Sequence, residues 1–517
     1  MGNIKHHKIF ILFFALFNLL LIFLTYQHPI GDFGNYYFGS KFFYEGTDPL
    51  KFYGDLHFFN SEIRNYETGP FFENYTPVPP FSLVFYLPFL VFKCTQAKIL
   101  FNLFSLLVLS VSLYRMIRHL NFFSPWFYLL PLLFFFPLYS NFHQGQSYVL
   151  IAALLLEFFI AIDRHLTWRA GLIVALLFSL KIFPAFIMIV PLFKKDWKTI
   201  GWSVLFICLL QLITFLSVGR DSFVYYYFEV LPGLAHNEVT EPFGYFNQSL
   251  HVFLLNCFVF HPYLNPAPIV DFPIAAMVLQ SAVYGLVLSV FPGNILKRPL
   301  YFTFFLALLA LNIINQYSTV YGLLLLLPFI FLRKEMPRKK FLLSAVVIAL
   351  CVSLPIHQLK HAPMLLQYCR PMLLFILFIF LAFGPGYRLN LRYWFCFFII
   401  FMALSLDFLK IDREERVDLS KEEILYNFDV KENYIKMYCC RGSKDTVINL
   451  QFKAERADSL IILDSGSGVR SGPKMLYTSR GHIKKCLLVN DTCLMALTDE
   501  YRGKGLYRLI MKKIDPQ

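Results

Sequence analysis

From residue 9 to residue 408 the chain is a succession of apolar runs divided by short polar or basic loops, and charge returns densely only after Asp407. This alternation restricts the fold more than any motif does. A membrane-spanning helix needs about 20 apolar residues, so the runs predict roughly eleven to thirteen membrane helices, the shortest of them half-helices or tilted pairs. Charged residues make up 15% of the chain, against about 25% in soluble domains. The expected fold is an α-helical polytopic membrane protein over residues 1–408, followed by a small soluble domain over residues 409–517.

The net charge of +14 does not point to a nucleic-acid partner. Much of it lies beside helix ends, in Lys194/Lys195/Lys198, Lys297/Arg298 and Arg333/Lys334/Arg338/Lys339/Lys340, and such clusters mark cytoplasmic loops. Residues 28–76 instead carry seven acids against three bases, and residues 219–246 also run acidic. Both loops are expected on the non-cytoplasmic face. The first run, 9–26, follows Lys5, His6, His7 and Lys8 and is not followed by a small-residue cleavage site, so it reads as a retained helix. Residues 75–92 read as a proline-rich entry into the second helix, and further helices are expected at 126–142, 147–162, 170–193 and 318–332, among others. The expected setting is an integral, multi-pass position in the plasma membrane.

In the tail, runs such as TVINLQF and SLIILD alternate with turn-rich pieces such as DSGSGVRSGP. That pattern predicts strands and hence a β-rich domain. Of the ten cysteines, four (Cys439, Cys440, Cys486 and Cys493) lie in this tail, and their spacing does not fit a metal site. Neither a metal nor a cofactor is expected.

The apolar domain holds few polar groups, which makes each of them informative. Between Arg169 and Lys194 the one charged residue is Lys181, in SLKIFPAF. A lysine at the centre of a spanning helix costs about 2.5–3.5 kcal/mol on insertion scales. Pro184 offers a reason for it: a proline-broken helix can line a polar cavity, where an ammonium would suit a phosphate. In NFHQGQSYVL, Asn141, His143, Gln144 and Gln146 exceed what a hairpin turn needs, which suggests substrate contacts, with interhelical hydrogen bonding as the rival reading. Asn247 and Gln248 in FNQSL, and Asn315 and Gln316 in INQYSTVY, form two further amide-rich breaks that could face the same cavity. Asp32, just past the first helix, is a surface carboxylate able to deprotonate an acceptor hydroxyl, though a plain loop acid fits the same position.

Taken in order, these pieces resemble glycosyltransferase family 87, within the GT-C class of polytopic glycosyltransferases. The resemblance rests on DFGNYYFGSKFFYEGTDPLKFY, on YTPVPPF with Tyr75 at its start, on GQSY, on AGLIVALLFSLKIFP and on FNQSL, spread over residues 28–332. The family's Gly-Gln-x-Asn is here Gly145-Gln146-Ser147-Tyr148, and a later histidine-bearing pattern is replaced by NQYSTVYG. The resemblance implies a GT-C-like fold and a polyprenyl-phosphate-linked hexose donor, with mannose favoured. It further implies a lipid or glycan acceptor and an inverting transfer on the non-cytoplasmic face. In that scheme Asp32 is the catalytic base, and Lys181 meets the departing phosphate. The rival readings are a transporter or flippase of a lipid-linked glycan, and a non-catalytic scaffold that binds through its tail.

Overall fold

The computed structural model describes residues 2–405, apart from 27–29, 55, 67–72, 74, 76, 236–242, 261–264, 266, 295–297, 355, 357 and 384–388, together with ten strand segments between residues 415 and 513. Through Leu404 the described elements are helical. The long ones are α1 (Gly2–Thr25), α2 (Phe33–Tyr44), α3 (Cys94–Leu120), α4 (Phe135–Gln144), α5 (Tyr148–Asp163), α6 (Thr167–Leu180), α7 (Trp197–Val218), α8 (Pro273–Asn294), α9 (Leu300–Ile314), α10 (Arg338–Ser353), α11 (Cys369–Ala382) and α12 (Leu391–Leu404).

Four helices among the described residues are long and apolar enough to cross a membrane: His6–Thr25, Cys94–Leu120, Trp197–Val218 and Pro273–Pro292. Five further apolar helices are shorter. The expected count of eleven to thirteen spans is therefore not carried by helix length, and proline is a main reason. The run at 126–142, with Pro131 and Pro137, is divided into a 3-10 turn, a four-residue helix at Leu130–Leu133 and the ten-residue α4. The stretch at 75–92 contains only Phe81–Phe85 and a 3-10 turn, Leu87–Val91. The run at 318–332 is a 3-10 helix, Tyr321–Lys334, containing Pro328. A proline lacks the N–H that a continuous helix would donate.

The predicted break at Lys181 is present. Helix α6 stops at Leu180, Lys181 is extended (φ −154°, ψ 119°), and a 3-10 turn, Phe183–Met188, carries Pro184 in its first positions. Some polar side chains elsewhere in the apolar helices bond to the preceding turn of their own helix. Asn18 donates to the Phe14 carbonyl at 2.8 Å, and Thr25 to that of Leu21 at 2.9 Å.

Two of the buried apolar clusters among the described residues bear on the site. The larger is built from α1, α3, α5, α9, α11 and the 3-10 helix. The smaller lies in what the sequence presents as an acidic loop. There α2 and the short helices Pro49–Gly54 and Leu56–Arg64 bury Tyr36, Phe42, Phe52, Tyr53 and Phe59 against Tyr75. That loop is thus a packed cap over one end of the helical domain.

The two ends of the bundle differ in charge. Glu157 of α5 pairs with Arg115 of α3 at 3.2 Å and with Arg169 of α6 at 2.7 Å. Lys334 donates to the Leu120 carbonyl at the end of α3. The basic residues therefore gather at the ends of α3 and α5 that lie away from the cap. The expected β-rich domain over 409–517 is not supported. The tail is described only as strand backbone in short antiparallel pairings. Its connecting residues and the side chains of its four cysteines lie outside the described residues.

Candidate functional site

Two glycines interlock the cap with the bundle. Gly145 ends α4 with φ +67°, and a Cβ there would lie 2.6 Å from Cβ of Phe33 in α2. Gly31 has φ +62°, and a Cβ there would lie 2.6 Å from Oε1 of Gln144. Glycine reaches this left-handed region without a steric penalty. Through these turns the Asp32 backbone N–H donates to Gln144 Oε1 at 3.3 Å, and residue 146 is delivered beside the start of α2.

The resulting cavity has a volume of about 490 Å³, and Asp32, Gln146, Lys181 and Tyr321 are among its walls. Gln146 Nε2 donates to Asp32 Oδ2 at 2.7 Å. Gln146 Oε1 accepts from Lys181 Nζ at 3.0 Å and from the Tyr36 hydroxyl at 2.8 Å. The Tyr321 hydroxyl donates to Asp32 Oδ2 at 3.4 Å. Lys181 Nζ also lies 4.5 Å above the Tyr148 ring, a cation–π position. Asp32 and Lys181 are joined through the amide and are not in direct ion-pair contact.

Asp32 is half-buried: its carboxyl opens on the cavity but lies deep in the protein. Burial raises its pKa above the ordinary carboxylate value, while the Gln146 hydrogen bond and the Lys181 charge oppose that rise. The remaining wall is largely apolar, with Leu180, Phe183, Phe186, Leu311 and Ile314.

The other candidates from the sequence divide into cavity wall and support. Asn315 and Gln316 belong to the wall. Asn247 and Gln248 lie behind them. Asn247 donates to the Gln316 carbonyl at 3.0 Å and accepts from the Ser318 N–H at 2.9 Å, and the Gln248 N–H donates to the Ser318 carbonyl at 2.8 Å. Gln144 is the support under Asp32. His143 is not part of the wall: its ring stacks on Tyr139 and its carbonyl accepts from Lys98. Tyr75 is buried in the cap, 3.5 Å from the hydroxyls of Tyr53 and Ser82, while its neighbours Pro77, Val78 and Pro79 reach the cavity.

The sequence reading passed over Tyr36, Tyr148, Tyr321 and Glu73. Tyr36 lies four residues after Asp32 on α2, the helical spacing that would have shown it on the same face. Glu73 is buried. Its backbone is held in both directions by Asn60, at 2.9 and 2.8 Å. Its carboxyl packs on Gly34, and a Cβ there would lie 2.5 Å from Oε1. Burial, and then the charge of Asp32, push the Glu73 pKa well above the usual range. Among the described residues there is no cluster of three or more His, Cys, Asp or Glu that could hold a metal.

Residues 75–311 match the model of glycosyltransferase family 87. The family resemblance read from the motifs therefore holds over that segment. The matched segment includes Gln146, Lys181 and Asn247; Asp32 precedes it and Asn315 follows it. No similarity to a curated protein reaches significance.

Proposed function

Proceeding from that family match, we propose that the chain transfers a hexose, with mannose the favoured candidate, from a polyprenyl-phosphate donor to a lipid or glycan acceptor on the non-cytoplasmic side. Asp32 is the general base. The acceptor oxygen attacks the anomeric carbon and gives its proton to Asp32. The carbon–oxygen bond to phosphate breaks on the opposite face, the phosphate leaves with the bonding pair, and the anomeric configuration inverts. Lys181 stabilises the charge that develops on the phosphate, an effect that is large in a water-poor site. One carboxylate suffices because the leaving group is already a phosphate, unlike the two-carboxylate scheme of glycoside hydrolysis.

The observation that carries this reading is that Asp32 and Lys181 share one cavity wall without neutralising each other. Two further features support it. The apolar wall formed by Phe183, Phe186, Leu311 and Ile314 suits the start of a prenyl chain. The cavity also lies under the acidic cap, at the end of α5 remote from the ion pairs of Glu157. On this reading the catalytic unit is residues 1–408, set in the plasma membrane as a multi-pass protein with a GT-C-like arrangement.

The test is incubation of purified protein with radiolabelled polyprenyl-phosphate hexoses and a lipid extract. A new labelled glycolipid is expected. Labelled donor that crosses vesicle membranes without forming a product would support the transporter instead.

A further inference from the structure

We propose that Gln146 is a positioning residue that keeps the Asp32 carboxylate and the Lys181 ammonium apart, so that each remains available to a different part of the reaction. The proposal rests on the transfer reading above and goes beyond it, since it gives Gln146 a role in which it need not touch the substrate.

The argument begins with amide polarity. An ammonium group has only donors to offer. Lys181 Nζ lies 3.0 Å from one end of the Gln146 amide, so that end is the oxygen. The Tyr36 hydroxyl, at 2.8 Å, occupies the same oxygen. The NH₂ end is thereby committed to Asp32 Oδ2 at 2.7 Å, which must accept. Reversing the amide would set NH₂ against the ammonium and oxygen against the carboxylate. The order Lys181, Gln146, Asp32 is therefore polarised along its length.

Without the amide, a carboxylate and an ammonium facing one another across a poorly solvated cavity attract strongly. Their direct pairing would use up the carboxylate needed by the acceptor hydroxyl and the ammonium needed by the phosphate. Asp32 is also faced by Lys98 from α3, Glu73 from the cap, Tyr36 from α2, Tyr148 from α5, and Tyr317 and Tyr321 from the segment after α9. Gln146 stands between Asp32 and Lys181, with one hydrogen bond to each.

The test uses Gln146→Leu and Gln146→Glu in the full chain, read by structure and by the pH profile of kcat/KM. In Gln146→Leu, Asp32 and Lys181 should close to direct ion-pair distance. The turnover number should fall about 10²-fold, on the scale of general-base effects, and the acidic limb should move to lower pH. In Gln146→Glu, a second carboxylate beside Asp32 should move the limb to higher pH and raise the donor KM by engaging Lys181. The isosteric glutamate variant keeps the test open if the leucine variant fails to fold. Limbs that shift in the same direction, or do not shift, would overturn the proposal, as would a leucine variant in which the two groups stay apart and turnover is unchanged. If the wild type transfers no sugar, the functional reading falls, while the Asp32–Lys181 distance in the variants still decides the role of Gln146.

Discussion

Lys181 reaches the catalytic candidate Asp32 only through Gln146, although the two side chains lie on one cavity wall. They come from parts of the chain with unlike folds: a carboxylate at the first turn of a cap helix and an ammonium at a helix break. The account requires Asp32 to act on the acceptor hydroxyl that forms the new bond and Lys181 on the phosphate whose bond breaks, and that separation yields distinct predictions.

Lys181→Met should act mainly on the leaving phosphate. The expected loss is about 10²-fold in kcat/KM with polyprenyl-phosphate donors, the range found for single electrostatic contacts to developing charge. Thermal unfolding should change little, because the ammonium faces the cavity and its hydrogen-bond partner Gln146 keeps Tyr36 and Asp32. Steady-state kinetics with wild-type and variant protein at matched donor concentrations checks this. An unchanged kcat/KM contradicts it.

The pH dependence follows from the raised pKa of Asp32. A base must be ionised, so activity falls as pH drops through its pKa. Burial puts that value above the usual one for aspartate, so the acidic limb of kcat/KM should lie above about pH 4. A limb at or below that point would show that the carboxyl is better solvated or paired than the cavity allows.

Glu73 gives a stability prediction of definite sign. Its folded pKa is raised by burial, so its protonated form stabilises the fold fully below the unfolded value. That contribution declines as pH climbs towards the folded value, because the unfolded chain loses its proton first. Glu73→Gln should leave thermal stability nearly unchanged near about pH 4 and raise it near about pH 8. The check is the difference between the wild-type and variant melting curves at the two pH values, which cancels the background slope that Asp32 adds with the same sign.

Gly145 and Gly46 form a controlled pair. Both have positive φ, +67° and +87°, but a Cβ at Gly145 would meet Phe33 at 2.6 Å, whereas nothing lies within 4 Å of one at Gly46. Gly46→Ala should cost only the backbone strain, about 1–3 kcal/mol. Gly145→Ala should cost more and should also reduce transfer, because the turn it holds aligns Gln146 with Asp32. Equal effects of the two substitutions on activity would count against that alignment.

How much of this was legible beforehand depended on rarity. Lys181 was readable because charge is scarce in its run, and the break was readable because Pro184 follows. Gln146 was readable because amides are costly between apolar helices. Tyr36, Tyr148 and Tyr321 were not, since the chain holds 30 tyrosines and most serve packing. Glu73 looked like one more loop acid, because nothing local shows that the aromatic cap closes over it. The helix count was misjudged for a related reason. Apolar length suggests a span, but the run holding Pro131 and Pro137 is divided into short pieces, and the run holding Pro328 is a 3-10 helix.

The most direct measurement compares wild-type protein with Asp32→Asn, following donor binding and single-turnover transfer side by side in reconstituted membranes. The account predicts donor binding within about twofold of wild type and transfer lowered by about 10²–10⁴-fold, the range for loss of a general base. Transfer at the wild-type rate by Asp32→Asn would contradict it.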